Sequence, residues 1–95
     1  MSAERVFYSK EDSPDGTVIE MVVWKVPADK VRPHGFKYRL HYGTQDGNCI
    51  LRYDNSHKVD HRHYKDREEP YRFVSLKKLL ADFQADIENL RGRGK

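Results

Sequence analysis

Apolar and polar residues alternate most clearly between Phe36 and Tyr42: Phe36, Tyr38, Leu40 and Tyr42 fall on one side of an extended chain, and Lys37, Arg39 and His41 on the other. Side chains of a strand point to opposite faces in turn, so this period of two predicts a half-buried β-strand. Thr17 to Val26 is apolar on both faces, with Val18, Val22, Trp24 and Val26 on one and Ile19, Met21 and Val23 on the other. Such a strand is expected in the middle of a sheet with both sides covered; Glu20 is its one exception. Arg5 to Tyr8 predicts a short first strand, and Cys49 to Tyr53 another, closing a hairpin across Thr44-Gln45-Asp46-Gly47-Asn48. Ser13-Pro14-Asp15-Gly16 supplies the earlier turn, because Pro presets one dihedral and Gly tolerates a positive φ.

The period changes near the C-terminus. Leu76, Leu79, Leu80, Phe83, Ile87 and Leu90 recur at helical spacing behind Ser75, a residue type that caps helices, and Gly92 is placed to end the helix. Burying six such side chains contributes on the order of 10 kcal/mol before chain entropy is subtracted, so the helix is expected to form part of the core. Between these regions, Pro27 to Gly35 reads as an exposed connection and Asp54-Asn55-Ser56 as the end of a strand. Residues 57 to 69 are too polar for a core, and Pro70 precedes Tyr71-Arg72-Phe73-Val74, which reads as a short edge strand. The expected fold is therefore α+β: an antiparallel meander sheet of four to five strands with one C-terminal helix packed on one face. One domain spans 1 to 95, with a core from about 5 to 90 and a basic tail from 91 to 95.

Composition narrows the function classes. Six Tyr, four Phe and one Trp in 95 residues are more than a solvated linker carries, so a thin core under a charged surface is expected. No apolar run approaches the roughly 18 residues of a membrane span, and the N-terminus lacks a signal-peptide core, so a cytoplasmic protein with no membrane partner is expected. Cys49 is the single cysteine; it excludes an internal disulfide and reads as a core thiol. Residues 1 to 48 carry seven Lys or Arg against seven Asp or Glu, whereas 49 to 95 carry eleven against eight. The excess positive charge of the second half is compatible with a polyanionic partner.

Three of the five histidines, His57, His61 and His63, fall within seven residues of that half. Metal binding is one reading, since His61 and His63 would share a side of an extended segment and His57 and Asp60 could add ligands. Arg62, Lys65 and Arg67 oppose it, because cations repel a divalent ion. The same cations support phosphodiester chemistry without a metal or other cofactor. Cleaving RNA requires a base for the ribose 2′-hydroxyl proton, an acid for the leaving oxygen, and positive charge beside phosphorus. His61 and His63 are the expected acid and base, as imidazole titrates near neutral pH. Arg62, Arg67 or Lys65 is expected to hold phosphate, Tyr64 to stack on a base or donate a proton, and Arg52, Tyr53, Asp54 and His57 to line the approach. The same segment also reads as a solvated connection whose carboxylates neutralise its bases. His41 and His34 are expected to face solvent and to lie in a turn, without a role.

The series Ile19-Glu20-Met21-Val22-Val23-Trp24, Lys37-Tyr38-Arg39-Leu40, Tyr53-Asp54-Asn55, His61-Arg62-His63-Tyr64, Glu69-Pro70-Tyr71-Arg72-Phe73 and Leu79-Leu80-Ala81-Asp82-Phe83 resembles the small bacterial and archaeal proteins grouped with the TumE-type toxins of type II toxin–antitoxin modules. The resemblance runs from about Thr17 to Leu90. It implies a toxin neutralised by a cognate helix-turn-helix antitoxin, and it favours RNA as the target, an analogy at the level of the family. The expected function is a metal-independent ribonuclease toxin. Its alternative is a non-catalytic protein- or nucleic-acid-binding module, and a homodimer is left open.

Overall fold

Alternation builds the middle of the molecule as expected, and polar segments extend it further than expected. The computed structural model describes residues 4–30, 32–55, 59–64 and 67–92. Six strands, β1 (Glu4–Asp12), β2 (Thr17–Lys25), β3 (Phe36–Thr44), β4 (Cys49–Asp54), β5 (His61–Tyr64) and β6 (Arg67–Pro70), precede one helix, α1 (Leu76–Gly92). The strands lie in sequence order in one antiparallel sheet. Gly16 and Gly47 adopt φ of 86° and 104° in the β1–β2 and β3–β4 turns, which a side chain would strain.

The helix covers one face only. Leu79, Phe83 and Ile87 are fully buried against Ile19, Val23, Tyr38, Leu40, Tyr42, Leu51 and Tyr53, with Leu76, Leu80 and Leu90 packed around them. Ser75 caps the helix by accepting a hydrogen bond from the Lys78 N–H at 3.1 Å. Replacing Ser75 with Ala should cost about 1 kcal/mol, read as a lower midpoint in chemical denaturation.

Four expectations need correcting. The sheet has six strands rather than four to five, because β5 and β6 lie inside the segment read as a polar connection. Charge complementarity replaces apolar burial there: His63 stands across from Glu68 and Arg62 across from Glu69. Tyr71–Val74 forms no strand; Tyr71 and Phe73 instead pack beneath the sheet, Phe73 against Tyr38 and His34. The β2 strand is interior to the sheet but covered on one face only, leaving Val18, Val22 and Trp24 half-buried on the other. Finally, Cys49 is exposed at the start of β4 rather than in the core. Gly43 sits at a register shift between β3 and β4, where a Cβ would lie 2.2 Å from the Asn48 carbonyl oxygen, so only glycine fits.

Candidate functional site

Strand alternation separates the histidine segment into two populations. Cross-strand partners share a face, so the register fixes which side chains meet. Arg52 lies opposite His63, Asp54 opposite His61, and His63 opposite Glu68. These residues, with Arg39 opposite Asp54 and His41 opposite Arg52, lie on the face that the helix leaves open. Tyr53, Arg62, Tyr64 and Arg67 belong to the other face.

The open-face cluster is tight. The rings of His61 and His63 are 5.3 Å apart at their centroids and nearly perpendicular. Glu68 Oε2 lies 3.6 Å from His61 Nε2 and 3.5 Å from His63 Nε2. Asp54, with only 5% of its side chain exposed, places Oδ1 3.3 Å from His61 Nε2 and Oδ2 2.9 Å from Arg52 Nε. These are ion-pair distances without hydrogen-bond angles, and Asp54 Oδ1 and Arg52 Nε are both buried without a hydrogen-bond partner. His61 Nδ1 faces the Val59 carbonyl at 3.1 Å. In the doubly protonated His61 ring, each N–H therefore has an acceptor beside it. A depression of about 350 Å3 opens alongside, lined by Val59, His61, Glu68, Glu69 and Pro70.

The approach to β5 is held by residues that the sequence reading left without a role. His34 Nδ1 accepts the Phe36 N–H, which leaves Nε2–H to donate to Asp60 Oδ2 at 3.1 Å. The Tyr38 hydroxyl donates to the same oxygen at 2.7 Å, and burial and that carboxylate push its pKa upward. Asp60 is thus fixed directly ahead of His61. Asn55, fully buried, accepts the Tyr38 N–H and donates to the Phe36 carbonyl, so its side chain prolongs the ladder where β4 ends. Tyr53-Asp54-Asn55 therefore divides three tasks among core, site and brace.

Arg62 is tied down on the helix side. Its Nε donates to Asp86 Oδ2 at 2.8 Å and a terminal nitrogen donates to Glu69. Tyr53 also donates to Asp86, and Tyr64 lies under the Arg62 guanidinium, 4.6 Å from ring centroid to Cζ. The sheet thus separates Arg62, Tyr53 and Tyr64 from the paired imidazoles, while His57 and Lys65 lie outside the described residues. Arg67 is exposed on the edge strand. The sequence reading missed Glu68 as the bridge between the histidines and did not place Arg39 and His41 on their face; alternate spacing was visible, but the pairing of β3, β4, β5 and β6 was not.

His41 lies half-buried on the open face rather than simply in solvent. Burial, then Arg39, lowers its pKa against an opposing pull from Glu20, with Arg52 adding to the decrease. Its folded value lies below its unfolded one, so the unfolded chain takes up the proton first on acidification. This contribution to stability is complete above the ordinary imidazole value of about 6.5 and is lost as pH falls from there through the lower folded value. Thermal melts at pH 7.5 and 5.5, conditions chosen on that basis at roughly one unit either side, should show a smaller acid-induced drop for His41→Gln than for wild type.

A one-helix meander with an acid-braced histidine pair on its bare face defines a small α+β protein with one chemically equipped surface. A family model described as Toxin TumE matches residues 2–91, and the chain belongs to that toxin family. Membership implies an antitoxin partner. No curated protein and no solved structure matches the chain. Among the described residues, no helix is long and apolar enough to cross a membrane.

Proposed function

We propose that this toxin is a metal-independent ribonuclease whose acid and base are His61 and His63. The observation that carries the reading is their placement: two imidazoles side by side on the open sheet face, with Asp54 buried behind one and Arg52 across from the other. His63 is the more open of the two, with 31% of its side chain exposed against 12% for His61, and it serves as the base. It takes the proton from a ribose 2′-hydroxyl, whose oxygen attacks phosphorus. His61, matched by an acceptor at each ring nitrogen in its protonated form, gives a proton to the departing 5′-oxygen. The bond to that oxygen breaks and a 2′,3′-cyclic phosphate remains.

Arg52 and Arg39 bring positive charge to the same face for the phosphate, a role that Arg62 cannot perform from the opposite side. Asp54 and Glu68 orient the rings. Incubating the purified protein with total RNA in EDTA tests the reading. It predicts fragments ending in cyclic phosphate; intact RNA bound with a steep salt dependence would favour the non-catalytic binding module instead.

A further inference from the structure

We propose that His61, His63 and Glu68 bind a divalent transition-metal ion of the zinc type, and that its occupancy switches off the RNA chemistry described above. The second half of this proposal rests on the ribonuclease reading; the site itself does not.

One ligand atom from each of the three residues lies within 4.8 Å of the other two. Zinc takes nitrogen and oxygen ligands at about 2.0–2.2 Å in a tetrahedron, which sets neighbouring ligand atoms about 3.4 Å apart. Glu68 Oε2 already stands 3.5 Å from His63 Nε2 and 3.6 Å from His61 Nε2. Both Glu68 distances are thus already near tetrahedral spacing, and the two histidine ligand atoms, within 4.8 Å of each other, complete the set by closing toward the ion. Two imidazoles and one carboxylate are a borderline donor set; magnesium and calcium prefer oxygen alone.

The scaffold supplies the geometry. His61 and His63 alternate on one strand, and the register sets Glu68 directly across from His63. A separate observation also points to a cation: Asp54 Oδ1 is buried, has no hydrogen-bond partner, and lies 3.3 Å from His61 Nε2. An ion beside that nitrogen would meet a desolvated carboxylate. Arg52, against the other Asp54 oxygen at 2.9 Å, is the cation at the cluster and offsets part of this negative charge. Arg62, which the chain places between the two histidines, is held on the opposite face by Asp86 and Glu69. The repulsion expected from Arg62 is therefore turned away from the site.

An ion on both Nε2 atoms occupies the lone pairs that proton transfer uses. His63 could then accept no proton there, and His61 could deliver none. Zinc chloride titrated by calorimetry into the chelator-free full chain should bind one ion per protein. His63→Ala and Glu68→Ala should each weaken binding by at least about 10-fold, and Cys49→Ser should not change it. Circular dichroism and thermal melting of each variant establish that it is folded. RNA cleavage that proceeds in EDTA should, in chelator-free buffer, stop when zinc reaches the protein concentration and return when excess EDTA is added.

Absence of binding, or equal binding by both folded variants, overturns the site. Binding lost in the variants together with cleavage that zinc leaves unchanged or stimulates overturns the switch and keeps the site. If zinc binds as expected and RNA stays intact in both EDTA and zinc, the ribonuclease reading fails and the metal site stands.

Discussion

Replacing His63 with Ala should lower RNA cleavage by about 10²–10⁴, the usual contribution of one positioned acid or base, with little change in thermal stability. His63 Nε2 stands 3.5 Å from a Glu68 carboxylate that is itself 56% exposed, so removing the ring strands no buried partner. His61→Ala should lose activity over the same range but also some stability, because it removes the group facing the buried Asp54 Oδ1. Initial rates on one RNA substrate, with melting temperatures measured on the same preparations, separate the two effects. A His63 variant that cleaves at the wild-type rate would remove the proposed base.

Arg62→Ala should fail for a different reason. Arg62 carries 23% side-chain exposure and its partner Asp86 15%, so the ion pair is largely shielded from water. Burial opposes the charge, yet the hydrogen bonds that Arg62 donates to Asp86 and Glu69 and the field of Asp86 leave the Arg62 pKa raised. Removing one member leaves Asp86, which also accepts from Tyr53, without its cation. The expected loss is about 3 kcal/mol, near the lower end for breaking a buried pair. Arg62→Ala combined with Asp86→Ala should cost less than the two single losses added together, which urea denaturation measures through the mutant cycle. If Arg62 served as a phosphate contact, its removal would instead reduce the salt dependence of RNA binding and leave the denaturation midpoint unchanged.

The contrast between these variants follows from what sequence patterns can and cannot convey. The apolar period of two in Phe36–Thr44 and the helical stripe from Leu76 to Leu90 each encode a buried face, and both elements form as expected. The β5 and β6 strands carry no such signal, since His61-Arg62-His63-Tyr64 and Arg67-Glu68-Glu69-Pro70 are polar on both faces. Their pairing is supported by opposite charges set across from each other, information that resides in the register and not in either segment alone. For the same reason a count of nearby cations grouped Arg62 with the histidines, whereas one step along a strand sends its side chain through the other side of the sheet. His34 was equally hidden: a turn histidine gives no sign that Asp60, 26 residues further on, will meet it.

The candidate site was accordingly half legible. Alternation was enough to place His61 and His63 together, and Arg52 and Asp54 were already among the expected residues. Glu68 entered only through the strand pairing, and it bridges the two rings. Tyr53 and Arg62 belong to the packing between the sheet and the helix, where both donate to Asp86. In the proposed ribonuclease the open face carries the chemistry, and the helix face is its support.

Growth of cells under induced expression, with soluble toxin quantified in the same cultures, tests that division most directly. The account predicts arrest by wild type and relief by His61→Ala and His63→Ala at an undiminished soluble level of His63→Ala. Arrest by both histidine variants as strong as by wild type would contradict it.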